Sequence, residues 1–190
     1  MKKILLAFCV LLSGALFCQL FAQTDQASQK AWMDYMTPGN VHKMLAKADG
    51  EWKSETIMWM APGAPPVNGI GTCINKMILG GRYQESRYTG NFMGMPFEGI
   101  GTLGYDNVKK IFVSSWIDNL GTGIVHMEGK WDDNTKMMTL FGKEVDPMSG
   151  RDMDVKETFK WVDDNFQIMA MYTQQDGKEF KTMEIKFTRK

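Results

Sequence analysis

The stretch RDMDVKETFKWVDDNFQIMAMYTQQDGKEFKTMEIKFTR, residues 151–189, contains three strand-like segments separated by two turn-forming clusters, and the first and last segments alternate in polarity. In residues 151–162 apolar side chains occupy odd positions and charged side chains mostly even ones, and residues 182–189 repeat this pattern. The clusters at 163–165 and 176–177 supply Asn, Asp and Gly, which tolerate the backbone of tight turns. A period of two between tight turns predicts antiparallel strands with one buried face and one solvated face.

The same alternation of strand-like segments and turn-forming clusters extends back to about residue 60. Each cluster offers Gly, Asn or Asp for a positive φ, or Pro for a fixed φ. Nine reversals in series predict ten strands with no room for crossover helices. A long antiparallel meander removes its exposed edges by closing, so we expect an all-β, ten-stranded, up-and-down barrel. The clusters are 62–66, 80–81, 93–96, 106–107, 118–121, 132–134, 146–150, 163–165 and 176–177.

Parity predicts which side chains face the interior. In residues 51–60 the even positions carry Trp52, Thr56, Met58 and Met60, and the odd positions begin with charges, so we expect the even set to point inward. In the segments at 151–162 and 182–189 the odd positions are the apolar ones. They include Met153, Val155, Phe159, Trp161, Met183, Ile185, Phe187 and Arg189. In residues 82–92, Tyr83, Glu85 and Arg87 share one face, but the alternation does not decide which face that is.

The N-terminus has the pattern of a secretory signal peptide. Lys2 and Lys3 precede an apolar run over residues 4–20, and Ala22 supplies a small residue for cleavage. A retained membrane anchor is the alternative, but the run is short and interrupted by polar residues. We therefore expect residues 1–22 to be a signal peptide, cleaved near Ala22, and the protein to be exported to the periplasm or secreted.

Between the signal peptide and the first strand we expect a tether and one helix. Residues 23–30 are polar and predicted to be disordered, and 31–36 to form a helical turn, which together make a tether over 23–36. Thr37 resembles an N-cap, Gly50 a stop signal, and apolar residues between them recur at helical spacing, which predicts a short helix over 38–48. We expect this helix to cover one end of a single barrel domain spanning residues 37–190.

Charge and cysteine content exclude several classes of function. The 22 Lys and Arg residues balance the 22 Asp and Glu residues and form no basic block, which argues against a nucleic-acid partner. Cys9 and Cys18 lie in the predicted signal peptide, so Cys73 stands alone and an internal disulfide is excluded. Oligomeric state is left open by the sequence.

Several motifs resemble a known family. The Gly50-Glu51-Trp52 opening resembles the Gly-x-Trp of lipocalins and other calycin barrels, and Arg189 fits the arginine that stacks on that tryptophan where such barrels close. The set of motifs taken together resembles the bacterial family of unknown function numbered 1579. The resemblance implies a calycin/lipocalin-like barrel, exported or membrane-associated, with no assigned activity. The motifs are His42 and Leu45 ahead of Gly50, then residues 78–82, 95–99, 104–107 and 116–119.

The inward apolar set predicts a ligand site rather than a metal centre. Met58 and Met60, with Phe159 and Phe187 from other strands, form a soft lining suited to apolar molecules. Paired methionines also bind Cu(I), but Met58 and Met60 lie in a different strand from the other pairs. No zinc site of the usual composition is predicted from two histidines and one remaining cysteine, and no cofactor is predicted.

Other candidate chemistry is weak. His126, a possible haem ligand or general base, has polar neighbours at even positions and is predicted to face outward. No Gly-x-Ser-x-Gly motif is present. The run Gly99-Ile100-Gly101-Thr102-Leu103-Gly104 matches a dinucleotide fingerprint by letter only, and its glycines are interpreted as bends within a strand.

Three functions remain for such a barrel. The first is an exported protein that binds a small apolar or amphipathic ligand. The second is an enzyme of isomerase or hydrolase type that uses the same cavity, with Tyr83, Glu85 and Arg87 as its polar set. The third is a filled barrel whose outer surface binds a protein. An open interior separates the first two from the third.

Overall fold

The computed structural model describes residues 25–175 and 177–190. Helix α1 covers residues 25–36 and helix α2 covers Asn40–Ala46. Ten strands follow. They are β1 (Gly50–Met58), β2 (Val67–Ile78), β3 (Tyr83–Phe92), β4 (Met95–Asp106), β5 (Ile111–Asp118), β6 (Val125–Asp132), β7 (Met137–Asp146), β8 (Arg151–Trp161), β9 (Phe166–Gln175) and β10 (Lys178–Arg189).

The ten strands form a closed antiparallel barrel. Each strand pairs with the next along the chain, and β1 pairs with β10 to close the sheet, with Trp52 opposite Arg189. The nine connections fall at the nine turn-forming clusters, so the predicted all-β, ten-stranded, up-and-down architecture is confirmed. Closure leaves no strand edge exposed among these ten strands, which is the physical advantage expected of a long meander.

The region before the barrel differs from the prediction. Residues 25–36 form one continuous helix, so the expectation of disorder is wrong for residues 25–30. Within this helix Trp32 packs edge-on against Tyr35, with ring centroids 6.1 Å apart. The predicted signal peptide lies outside the described residues. No helix in the described ranges has the length and apolar character needed to cross a membrane.

Helix α2 is shorter than the predicted 38–48, and its cap is Gly39 rather than Thr37. The Gly39 N–H donates to Nδ1 of His42 at 3.0 Å, which satisfies one of the free donors at the helix start. Leu45, 1% exposed, points from α2 into the barrel end, and its carbonyl accepts a hydrogen bond from Gln84 Nε2 at 2.8 Å. The helix therefore covers one end of the barrel, as the sequence predicts. We call this the closed end.

The core occupies the closed half of the barrel in two groups of side chains. One group surrounds Leu45 and the other surrounds Trp52. The first contains Leu45, Phe112, Met127, Met138, Leu140 and Val155, and the second contains Ala48, Trp52, Cys73, Met169, Ile185 and Phe187. These strand residues follow the predicted inward parity of β1, β8 and β10. The opposite end, at which β1, β3, β5, β7 and β9 finish, is the open end.

The paired glycines of β4 have a packing role beyond the predicted bend. A Cβ added at Gly99 would collide with the six-membered ring of Trp116, and one added at Gly101 would lie 3.4 Å from the same indole. The indole of Trp116, from the neighbouring strand β5, therefore lies flat on the inner wall where these side chains are missing.

Candidate functional site

An interior cavity of about 470 Å³ extends from α2 toward the open end of the barrel. This volume falls in the range of small-molecule sites. Methionine and aromatic side chains from several strands form much of its wall, with a smaller number of hydroxyl, amide and carboxyl groups. The apolar members include Met58, Phe97, Phe112, Met127, Met153, Phe159, Met169, Met171 and Ile185.

Three carboxyl groups line the same cavity. Asp118 ends β5, Glu144 lies near the end of β7, and Glu157 lies in the middle of β8, beside Leu140 and Met171 on the neighbouring strands. Each is half-buried, and each has a parity that turns it into the barrel. Neither Glu144 nor Glu157 has a hydrogen bond or ion pair to any described residue. The cavity is thus apolar in most of its wall but acidic on the β5–β7–β8 side.

Burial changes the acidity of two of these groups. Desolvation raises the pKa of Glu157 to about 7, and the charge of Glu144 adds to the shift. Desolvation also raises the pKa of Glu144, with a further contribution from Asp118. The three carboxyls therefore interact electrostatically across the cavity. Carboxylates held close together in a desolvated site resist full ionisation, because each charge disfavours the next.

An aromatic cluster lies beside the carboxyl groups. The rings of Tyr88 and Trp116 meet edge to face at 5.1 Å between centroids, and Phe97 stacks near Trp116 at 6.4 Å. The indole Nε1–H of Trp116 donates to Oδ2 of Asp118 at 2.7 Å, which fixes both the ring and the carboxylate. One aromatic wall and one carboxylate are thus held in a single arrangement.

Tyr88 also connects the cavity to a buried polar network. Its side chain hydrogen bonds with that of Cys73, whose Sγ donates to Oδ1 of Asn75 at 3.2 Å. Asn75 in turn donates to the carbonyl of Ala48 at 3.1 Å. Burial raises the pKa of the Cys73 thiol to about 12 and raises the pKa of Tyr88 well above 10, so both groups are protonated at neutral pH. The network is structural, and it holds Tyr88 in place.

Two further polar groups on the inner wall lack partners within the described chain. The Nε1–H of Trp161 is buried without a hydrogen bond. Ser54, only 5% exposed, lines the cavity, and no described residue hydrogen bonds with its hydroxyl. Buried polar groups are usually satisfied, so an unpaired hydroxyl that faces a cavity is available to water or a ligand.

Only part of the predicted ligand set lies at the cavity. Met58 and Phe159 line it, whereas Phe187 is 2% exposed and packs in the core, stacked on Phe159 at 6.0 Å. Met60 lies beyond the end of β1 and is 66% exposed, so its predicted inward placement is wrong. Ligand contact by Met58 and Phe159 stays a prediction.

The predicted polar set is on the other side of the wall. Tyr83 packs over Gly104 and is 42% exposed, and Arg87 Nε forms an ion pair with Glu85 at 2.8 Å. None of these residues lines the cavity, because the inner face of β3 carries Gln84, Ser86 and Tyr88 instead. The placement of Tyr83, Glu85 and Arg87 in the cavity, which the enzyme hypothesis required, is therefore wrong.

The predicted closure residues do meet. The guanidinium carbon of Arg189 lies 4.2 Å from the ring centroid of Trp52, which is fully buried. Gly50 has φ +125°, a conformation that side chains disfavour, and a Cβ there would approach Arg189 Nη1 to 3.0 Å. The Gly-x-Trp opening thus provides both the ring and the space that the arginine needs.

The two histidines lie away from the cavity. His126 is exposed on the outer face of β6, where the sequence places it. His42 lies on the buried side of α2, where desolvation lowers its pKa and the Tyr105 main chain accepts a hydrogen bond. Among the described residues no cluster of three or more His, Cys, Asp or Glu side chains has the arrangement of a metal site.

The sequence interpretation missed Glu144 and Glu157. Both carry a readable signal, since Glu157 shares its parity with Val155, Phe159 and Trp161, and Glu144 shares its parity with Met138 and Leu140. A charged residue on an otherwise apolar face has to be buried with a partner or exposed to a cavity. A glutamate on the apolar face of β7 and another on that of β8 are therefore the sequence signal for the acidic side of the cavity.

Comparison with known proteins identifies the family of this chain. Residues 37–189 match the family described as protein of unknown function, DUF1579, and the chain belongs to this family. Comparison with curated proteins gives no significant match.

Two solved structures share the fold at low sequence identity. Rv2717c from M. tuberculosis has a TM-score of 0.60 and 11% identity, with 81% of this chain and 99% of that chain covered. The S-type phycobiliprotein lyase CPES from Guillardia theta has a TM-score of 0.52 and 8% identity, with 83% and 96% covered. These likenesses concern the barrel architecture.

Proposed function

We propose that the protein binds a small amphipathic molecule inside the barrel. The observation that carries this proposal is the cavity of about 470 Å³, whose wall is largely apolar and holds a few polar groups. That combination is typical of small-molecule sites, in which apolar contact supplies affinity and a few polar groups supply orientation. A barrel that served only as a scaffold for surface contacts would fill its interior with side chains.

The methionine content of the wall favours a tolerant site. Met58, Met127, Met169 and Met171 carry flexible thioethers that adapt to different ligand shapes. The ring of Trp116 is fixed by its hydrogen bond to Asp118 and by its contact with Tyr88, so these two rings provide a rigid part of the wall beside the adaptable methionines. We expect a ligand with an apolar body and one polar end.

An enzyme is the second candidate, and Glu157 is the observation that favours it. A carboxyl group with a pKa of about 7 in an apolar cavity has the acidity of a general acid or base. Catalysis also requires a second group oriented toward the first, and Glu157 has no hydrogen-bond partner among the described residues. Binding is therefore the function that the arrangement supports better.

The fluorescence of the neutral probe N-phenyl-1-naphthylamine tests the proposal. We expect enhanced probe emission on addition of the protein, and competition by long-chain alcohols. Met58→Glu introduces a charge at the cavity wall and should weaken probe binding by at least about tenfold, because an unpaired charge disfavours an apolar site.

Met60→Glu is the matched control, since Met60 is exposed two residues further along the chain. This variant should bind the probe like the wild type. Absence of probe binding by the folded wild-type protein, or equal binding by both variants and the wild type, would contradict an interior site.

Export remains a proposal that rests on the sequence of residues 1–22. We propose that the signal peptide is removed near Ala22 and that the barrel acts outside the cytoplasm. The intact mass of the protein recovered from the cell envelope or medium tests this, because cleavage removes residues 1–22. Recovery of the uncleaved chain from the cytoplasm would contradict it.

A further inference from the structure

We propose that the cavity selects amphiphiles that carry a positively charged nitrogen, such as alkylammonium or quaternary ammonium compounds. This inference rests on the proposed function and specifies its ligand class. The carboxyl groups of Asp118, Glu144 and Glu157, the rings of Tyr88 and Trp116, and the hydroxyl of Ser54 are the groups that would recognise the cation.

The charge lining the cavity is of one sign. Asp118, Glu144 and Glu157 come from three different strands, and no lysine, arginine or histidine among the described residues lines the same space. The inner residues of the neighbouring strands β6 and β9, including Met127 and Met171, are uncharged. A bound cation would therefore relieve the repulsion between the carboxylates, whereas a bound anion would increase it.

The aromatic cluster fits the same ligand. Tyr88 and Trp116 line the cavity, and indole and phenol rings attract cations through their faces. The hydrogen bond from Trp116 to Asp118 holds this ring next to a carboxylate, so one cation can contact both. Both the cation–π attraction and the ion pair are stronger in the cavity than in water, because the cavity wall excludes solvent.

Ser54 provides a separate indication that the cavity holds a polar group. Ser54 is 5% exposed and lines the cavity, and its Oγ lies beside Gly71 of β2 without a hydrogen bond to any described residue. A serine oxygen accepts hydrogen bonds as well as donating one, so it can bind the N–H of a primary alkylammonium, whereas toward a quaternary ammonium it presents only the negative end of its dipole. Its position on β1, away from β7 and β8, places an acceptor on a different part of the wall from the glutamates.

Three probes with the same alkyl chain test the inference. Decyltrimethylammonium, decanol and decanoate are each titrated into the full-length protein and its variants by calorimetry at about pH 8. Each ligand is kept below the concentration at which it forms micelles or separates from solution. We expect the cation to bind about tenfold or more tightly than decanol, and decanoate to bind most weakly. The shared chain makes the difference a measure of charge selection alone.

Glu157→Gln and Glu144→Gln should each weaken binding of decyltrimethylammonium by about tenfold and change decanol binding by less than about twofold. Glu98→Gln removes the same charge from an exposed position on β4 and should leave all three affinities unchanged. Circular dichroism confirms that each variant is folded before it is compared.

The outcomes separate the two proposals. Equal binding of the three probes, or tightest binding of decanoate, would overturn cation selection and leave the proposed ligand-binding function standing. Binding of none of the probes by the folded wild-type protein would overturn both. Cation binding that survives both glutamine substitutions would show that the carboxylates are not its basis and would also overturn the inference.

Discussion

Arg189 lies over the indole of Trp52, with its guanidinium carbon 4.2 Å from the ring centroid. The two residues are direct partners between the first and last strands, so this contact lies at the seam where the barrel closes. The guanidinium also donates to the carbonyls of Lys47, Asp49 and Asp164 at 2.6, 2.7 and 2.9 Å. One side chain thus connects the seam, the segment after α2 and the β8–β9 connection.

Loss of either seam residue is expected to destabilise the barrel. Trp52→Ala should lower the free energy of unfolding by about 3–5 kcal/mol, because it empties a fully buried indole site. Arg189→Ala should lower it by about 2–3 kcal/mol through lost charge-assisted hydrogen bonds and the cation–π contact. Urea unfolding followed by circular dichroism measures both.

The control for the seam is Thr188→Ala, at the exposed position next to Arg189. It should change stability by less than about 0.5 kcal/mol. If Arg189→Ala lowered the free energy of unfolding no more than this control does, the contacts of the guanidinium would not stabilise the seam, which would contradict the prediction.

Gly99→Ala should disturb the aromatic wall of the cavity. The new Cβ would collide with the ring of Trp116, so we expect a loss of about 1–3 kcal/mol and a shift in tryptophan emission as the indole leaves Asp118. Gly123→Ala is the matched control, because no atom lies within 4 Å of its Cβ position. Identical emission spectra for the two variants and the wild type would contradict the packing of Trp116 on Gly99.

Most of the fold was predictable because a period of two and the turn residues act locally. Parity placed Trp52 and Arg189 on inward faces, the resemblance to calycin barrels implied their contact, and the barrel places them together. A helical turn was predicted over 31–36, but its extension back to residue 25 was not, since the polar residues 25–30 resemble a tether in composition. Met60 was misplaced because alternation does not reveal where a strand ends.

The candidate site was less predictable than the fold. Alternation placed Tyr83, Glu85 and Arg87 on one face of β3, but that face turned out to be the outer one, since polar residues occupy both faces. The inner face carries Gln84 and Ser86, and because these residues are polar, β3 has no apolar alternation that would identify its inner face. Polar inner residues mark an open interior, so the pattern is least regular where the site lies.

Cys73 is expected to be unreactive in the folded protein. It is 1% exposed and burial raises the pKa of its thiol to about 12, so at about pH 8 almost no thiolate forms. Reaction with a thiol reagent such as dithionitrobenzoate should be negligible in buffer and rapid in denaturant. Fast stoichiometric labelling of the native barrel would show that the closed half opens readily, and would contradict the buried network of Cys73, Asn75 and Tyr88.

Glu157 is expected to make stability fall as pH rises. Its pKa is about 7 in the folded protein against an ordinary value near 4.5, so the folded state binds the proton more tightly than the unfolded state does. The contribution is therefore fully present below about pH 4.5 and is lost as pH rises through about 7. The full shift corresponds to about 3 kcal/mol, shared with Glu144 because the two carboxyls titrate as a coupled pair.

The comparison of wild type with Glu157→Gln isolates this effect, because glutamine keeps the shape and removes the titration. The charged group that acts on Glu157 is Glu144 from β7, itself influenced by Asp118 from β5. Glu157 in turn helps to raise the pKa of Tyr88 from β3, which stays neutral over this range. Between about pH 4.5 and 8 the wild type should lose stability relative to Glu157→Gln, so that the variant is the more stable protein at pH 8. Glu98→Gln, changed on the outer wall, should follow the wild-type curve. If the free energy of unfolding changed with pH in the same way for the wild type and Glu157→Gln, the carboxyl of Glu157 would be solvated in the folded protein. Its raised pKa, and the electrostatic coupling between the carboxyls of the cavity, would then be contradicted.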